Sequence, residues 1–273
     1  MVFRLLLLST VFTFMIVSNT VYAQQIWKFS VLVAVEKQTA DYYQKVYSKD
    51  IRLIVNEQIA TVNANFNTSN NFNGRFSFQA DSIYVFEGSA QNEIFKLHSN
   101  HNYKIIINGF SNDLSGGGWY GTNRSIYHNW KWDNNNGPFG KYATDGLTHE
   151  FGHARGAIDI YGLKVDAQKN LVNSSSFEPI NSIMNYPYDN IKWDEHTIKL
   201  LNSTGSKAIE DEKYITSAFP NTLGVKVINS QGIPLNNAAV EVYPVEWFSY
   251  GVASNPLFRS TTNDKGVYQF LSK

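Results

Sequence analysis

His149 and His153 stand four residues apart in the stretch Thr148-His149-Glu150-Phe151-Gly152-His153-Ala154-Arg155-Gly156-Ala157-Ile158-Asp159. On a helix that spacing places both imidazoles on nearly the same face, within reach of one cation, with Glu150 beside them. Gly156 lies one turn beyond the second histidine, where a helix that must stop and reverse needs a residue tolerating positive φ. Asp159 follows three residues later. Its carboxylate can occupy the third corner of a tetrahedral ion and leave the fourth for water, and an open fourth position belongs to catalytic rather than structural metal sites. A chain built around this stretch needs one helix carrying the histidines, a sharp turn after it, and an open space above both.

The pattern H-E-x-x-H-x-x-G-x-x-D resembles that of the metzincin clan of metallopeptidases, H-E-x-x-H-x-x-G-x-x-H followed by a Met-containing turn. Asp159 stands where most of the clan has a third histidine, as in the snapalysin branch. Downstream, Ser182-Ile183-Met184-Asn185-Tyr186 is similar to the Met-turn. The resemblance implies that Met184 forms an apolar floor beneath the ligands. Tyr186, two positions after it, resembles the phenol that lies close to the metal in the astacin and serralysin branches. The implied activity is peptide-bond hydrolysis, with Zn²⁺ held by His149, His153 and Asp159, Glu150 as general base, and Tyr186 as a hydrogen-bond donor to the oxyanion. The added charge of Asp159 predicts an activity profile shifted toward alkaline pH. Glu178 is the rival third ligand, but its surroundings show no helical pattern. His98 and His101 lack the acidic or cysteine companion that a second metal site requires.

The 273 residues carry 23 basic and 23 acidic groups, so nothing recommends nucleic acid or an anionic membrane as a partner. Residues 1–23 contain Arg4, an apolar run from Leu5 to Val17, and Val21-Tyr22-Ala23 before Gln24. That order reads as a secretory signal peptide and implies a secreted protein, extracellular or periplasmic. No other segment is apolar over the length of a membrane span. The sequence has no cysteine. For an exported protein this excludes disulfides, a lipid-modified cysteine and thiolate inhibition of the metal. Protein or peptide substrates are the expected partners, and the expected state is a monomer.

Residues 24–220 read as the catalytic unit. Trp27 to Val35 is a buried strand by its β-branched apolar run. From Asp41 to Phe66 apolar residues recur at Tyr47, Ile51, Val55, Ile59, Val62 and Phe66, predicting one long core-packing helix. Strands are expected over Arg75 to Phe86, Tyr103 to Asn108 and Ser125 to Trp130. Gly116 to Gly121 reads as a glycine turn or, by resemblance, as an edge that contacts substrate. Thr144 or Asp145 is the expected cap of the metal helix, and Trp193 to Leu201 the closing helix. The fold class is α+β, with a metzincin-like twisted, mostly parallel sheet over a long helix and the metal helix.

Residues 221–273 change character. Leu223 to Ile228, Ala239 to Tyr243 and Gly266 to Leu271 are short alternating runs between turn residues. They resemble carboxypeptidase-regulatory-like or transthyretin-like β-sandwich modules, here reduced or cut short against the seven strands of a full sandwich. The leading function is therefore a secreted zinc endopeptidase. The contrary one is a non-catalytic surface or matrix-binding protein with a structural zinc, whose β-sandwich module does the work.

Overall fold

The computed structural model describes residues 24–68, 72–98, 100–110, 116–131, 137–188, 191–207 and 221–271. The expected signal peptide, residues 1–23, and the expected boundary at 220 lie outside the described residues.

A five-stranded sheet forms the frame, in the order β2-β1-β3-β5-β4. Its strands are β1 (Gln25–Glu36), β2 (Gly74–Phe86), β3 (Tyr103–Asn108), β4 (Gly116–Tyr120) and β5 (Ser125–Asn129). The first four in that order pair in parallel, and only β4 runs antiparallel, against β5. Every residue of β3 is buried, as a strand covered on both faces requires. Side-chain alternation then divides the core. Phe29, Val31, Val33, Val35, Ile105, Ile107 and Ile126 face one layer, while Ala34, Ile106 and Tyr127 face the other with Phe86, Ala90 and Ile94. The chain is thus α+β with a mostly parallel central sheet.

The helix expected over Asp41 to Phe66 is two helices, α1 (Lys37–Tyr47) and α2 (Ile51–Phe66). Ser48 between them adopts φ 54, and the Asp50 side chain accepts from the Arg52 N–H at 2.7 Å. An N-cap of that kind starts a new helix and contributes about 1 kcal/mol, so the periodicity continues across a break in the backbone. Of the expected stripe, Val55, Ile59, Val62 and Phe66 are buried, whereas Tyr47 at the end of α1 is exposed. Phe66 alone meets Phe76, Phe78 and Trp193 at ring separations of 4.8, 5.1 and 4.6 Å. Burying such a side chain stabilises the fold by about 1.5–3 kcal/mol.

The short α3 (Ala90–Phe95) lies by the second core layer, while α4 (Lys141–Ala154) and α2 pack in the first. The closing α5 (Glu195–Thr204) is capped by Asp194, which accepts from the Thr197 N–H at 2.9 Å. It begins two residues beyond the expected Trp193, whose indole N–H instead donates to Asn65 O at 3.2 Å.

Beyond residue 220 the strands are β6 (Thr222–Lys226), β7 (Ala239–Val242), β8 (Val245–Glu246), β9 (Gly251–Val252), β10 (Phe258–Thr261) and β11 (Val267–Leu271). They form three antiparallel pairs, β6 with β11, β7 with β10, and β8 with β9. Phe258 meets Tyr268 and Phe270 at 5.1 and 6.1 Å, which joins the first two ribbons. Their core is thin. Val240 is buried, while Leu223, Ile228, Ile233 and Leu257 remain exposed. A unit with so little interior gains stability by leaning on a neighbour, and the β8–β9 hairpin makes that contact.

Candidate metal centre

Helix α4 starts at Lys141, behind an N-cap at Gly140, a full turn before the expected Thr144 or Asp145. Both residues have work inside the helix. The Thr144 hydroxyl donates to Gly140 O at 2.9 Å and accepts from Gln58 Nε2 at 3.1 Å, while Asp145 pairs with Lys141 at 3.0 Å. The earlier start places His149 in the interior of a helix whose last turn carries His153, and backbone hydrogen bonds fix their spacing. Gly156 then takes φ 94. The turn closes with the Ala157 N–H donating to Gly152 O at 3.0 Å and the Gly156 N–H to His153 O at 2.7 Å. This is a left-handed helix stop that a side chain would strain.

The reversal brings Asp159 back over the histidines. His149 Nε2, His153 Nε2 and Asp159 Oδ1 lie 3.0 Å from one another, pair by pair. On the far side of each ring, His149 Nδ1 sits 2.8 Å from Ile183 O and His153 Nδ1 sits 2.8 Å from Ala157 O. A carbonyl oxygen only accepts, so both Nδ1 atoms carry the hydrogen and both Nε2 atoms of the neutral rings present lone pairs. Asp159 Oδ1 accordingly receives no hydrogen bond from either ring although both lie in contact range. Three electron pairs therefore converge on one point, and that arrangement repels itself unless a positive charge sits among them. A tetrahedral ion at roughly 2.0–2.1 Å from its donors holds them roughly 3.3 Å apart, within a few tenths of the observed spacing. Two imidazoles and a carboxylate, with a fourth side open to the cleft, fit a divalent ion. Among the described residues this is the one cluster of such groups.

A proton can take the place of that positive charge, and the anionic groups around His153 favour it there. Burial works to lower the His153 pKa, yet the Asp159 carboxylate and the Glu150 charge outweigh it and push it up to about 9. Burial likewise works to raise the Asp159 pKa, but its contacts with both imidazoles hold the carboxyl well below the usual range. Glu150 is displaced upward, chiefly by its own burial, against the pull of the two histidines. Its Oε2 is buried without a hydrogen-bond partner, and the Cβ of an alanine at position 117 would fall 2.8 Å from its Oε1. Gly117 on the edge strand β4 thus lets the backbone pass close to the carboxylate, as glycine in a strand does at such approaches.

The turn Ser182 to Tyr186 closes the cluster from below. Ser182 O accepts from the Asn185 and Tyr186 N–H groups at 2.9 and 3.0 Å, and its hydroxyl donates to Asp194 at 2.7 Å. This turn aims Ile183 O at the His149 ring and buries Met184 completely. Met184 lies against α4 at Gly152, where an added Cβ would meet its sulfur at 2.6 Å. Glycine inside a helix costs about 1 kcal/mol relative to alanine, so its presence here reflects that close approach. Gly152→Ala is expected to destabilise the protein by a net of about 1 kcal/mol, because overpacking costs about 1–3 kcal/mol and improved helix propensity offsets only part of it. A urea midpoint below that of the wild type, at unchanged slope, would register it.

Tyr186 is 62 % exposed and packs edge-on against Tyr188 at 5.0 Å. It lines, with His149, Glu150, Trp130 and Tyr161, a cavity of about 450 Å³. Sequence reasoning missed a second phenol. Tyr161 stacks over His149 at 6.4 Å and lines both that cavity and a smaller one of about 210 Å³ that holds all three ligands and Glu150. Burial and the Asp159 carboxylate beside it push its pKa up, which keeps it a neutral hydrogen-bond donor. Its position two residues after Asp159 was the available signal.

His128 and His98 have structural roles. His128 is fully buried with Nε2 at 2.8 Å from Pro138 O, and burial lowers its pKa to about 4. His98 Nε2 lies 3.0 Å from Asn123 O. Glu178, the rival third ligand, pairs with Lys164 at 3.0 Å and is absent from the cluster.

No family model matches the chain, and no curated protein matches it. Among solved structures, a chain described as the structure of a chaperone-substrate complex is similar at 14 % identity and a TM-score of 0.41. The match covers 68 % of this chain and 39 % of that one, so this chain spans well under half of its length. A likeness at that level says nothing of the chemistry.

Proposed function

We propose that the protein is a secreted zinc endopeptidase of metzincin type. The observation that carries this reading is the convergence of the His149, His153 and Asp159 lone pairs beside the unpartnered carboxylate oxygen of Glu150. Export rests on the signal-like character of residues 1–23.

The residue pattern, the glycine turn, the aspartate ligand and the buried Met184 agree with the clan resemblance, and the donor set is one that zinc prefers. When bound, such an ion acts as a Lewis acid that makes water acidic and polarises a carbonyl. The chain's own groups supply the rest. Glu150, desolvated and free of hydrogen bonds at Oε2, takes a proton from a water in the cleft and returns it to the departing amine. Tyr161, which lines the cavity beside Asp159, would donate to the oxyanion as it forms, and Tyr186 at the rim would join it. The edge strand β4 passes alongside Glu150 at Gly117, and an extended peptide pairing there would bind through main-chain groups with little demand on sequence.

A purely structural ion would need neither an open approach nor a base beside it, so the non-catalytic alternative finds no support in the cleft. Digestion of casein by the purified chain, with and without a chelator, tests the proposal. Cleavage that stops on chelation and returns with Zn²⁺ is expected. A metal-loaded chain that leaves casein and unstructured peptides intact would exclude it.

A further inference from the structure

The β8–β9 hairpin lies far along the chain from α4, yet its turn docks beside the metal cluster. The Phe248 N–H donates to Gly162 O at 3.1 Å, and the Asp166 N–H donates to Tyr250 O at 2.9 Å. Lys169 Nζ donates to Ser249 O at 2.8 Å. Trp247 lies against Gly162 so closely that an added Cβ would fall 2.0 Å from its indole nitrogen. Phe248 meets Tyr161 edge-on at 5.4 Å. Trp247, Phe248 and Ile158, with His153 and Asp159, line a cavity of about 330 Å³. Glu150 does not line this cavity, whereas it does line the cavity of about 450 Å³ on the His149 side.

We infer that Trp247 and Phe248 form a specificity subsite, holding an apolar side chain of a peptide substrate on the His153 and Asp159 side of the metal cluster. The inference rests on the peptidase reading above. Three observations carry it. The cavity shares His153 and Asp159 with the cluster, so it opens directly beside the point where a scissile bond would lie. The turn is anchored by backbone hydrogen bonds, yet Trp247 and Phe248 stay 45 % and 50 % exposed rather than packing away. Finally, Phe248 and Tyr250 both hold φ 61, a conformation that bulky residues avoid and that persists where the surrounding structure enforces it. The wall is apolar apart from the two ligands. An acidic side chain entering it would lose water and face the Asp159 carboxylate, and glycine would leave it unfilled.

The test is a set of peptides with one cleavable bond in which each flanking position is in turn Gly, Asp, Leu or Phe. In the wild type, Leu or Phe at one position is expected to raise kcat/KM at least about 10-fold over Gly, since a single methylene in such a pocket is worth about 10- to 200-fold. In Trp247→Ala and in Phe248→Ala that ratio is expected to fall to about threefold or less. Gly162→Ala, which displaces the indole without deleting it, should do the same. A ratio taken within one preparation does not depend on the fraction folded, so a less stable variant still answers. A preference that survives all three substitutions, or a wild type that cuts every peptide alike, overturns this inference alone. A metal-loaded wild type that cuts none of them overturns the peptidase reading and this inference with it.

Discussion

Glu150→Gln is expected to slow peptide hydrolysis by about 10²- to 10⁴-fold, the range general-base groups contribute, while leaving the bound ion in place. Glutamine keeps the shape and volume of the side chain and loses only the ability to accept a proton. Glu150 is not one of the three converging donors, so metal content should match the wild type. The loss should appear equally in kcat and kcat/KM, the signature of an interaction made in the transition state and not in the ground state. Steady-state kinetics on one peptide, with metal content measured on the same samples, checks it. Wild-type turnover in Glu150→Gln would assign the base elsewhere.

The second large effect is on stability, at Arg155. This arginine follows the metal helix directly and is fully buried. Its guanidinium donates to the Tyr103 hydroxyl at 2.6 Å, to Gly205 O at 2.7 Å and to Lys207 O at 2.5 Å, and lies over the Phe29 ring at 4.4 Å. The Tyr103 hydroxyl in turn donates to Ala154 O at 3.1 Å. One side chain thus ties the end of α4 to β3, to β1 and to the segment after α5. Arg155→Met preserves much of the stem but strands two carbonyls and removes the donor to the Tyr103 hydroxyl. Hydrogen bonds to a charged group are worth about 1.5–3 kcal/mol each, and the losses are not additive. A destabilisation of about 3–5 kcal/mol is therefore expected, comparable to breaking a buried charged pair. For a chain of this size that lowers the melting temperature by roughly 10 °C. A change of less than about 1 kcal/mol, within the ordinary range for substitutions away from such features, would mean that the network is dispensable.

The clustering of His149, His153 and Asp159 was legible because it depends on fixed local spacing. His149 and His153 are joined by one helical turn, and Gly156 reports the positive φ that lets Asp159 return. What the sequence did not reveal depends on contacts between distant segments or on competing local signals. Thr144 and Asp145 look like caps, yet their side chains are engaged within the helix and with α2. Ser48 interrupts a helix whose apolar spacing in the sequence runs on past it. The glycines of β4 left a turn and a sheet edge equally open, and the strand's pairing with β5 through its backbone, which needs no side chains, decides for the edge. Arg155 reads as an ordinary charged residue after a helix, because the acceptors that bury it come from β3 and from beyond α5. The β8–β9 hairpin and β10 escaped notice for a similar reason. Their strands are two and four residues long, too short for alternation to register, and the placement of Trp247 is decided by Gly162 across the cleft.

The central claim is that His149, His153 and Asp159 together grip one catalytic divalent ion. Metal content per chain after exhaustive dialysis tests it most directly, compared across the wild type, His153→Ala and Glu150→Gln. The account predicts one ion per chain in the wild type and in Glu150→Gln, and none in His153→Ala. An ion retained by folded His153→Ala at the wild-type level, or a folded wild type that keeps none after loading with Zn²⁺, would contradict it.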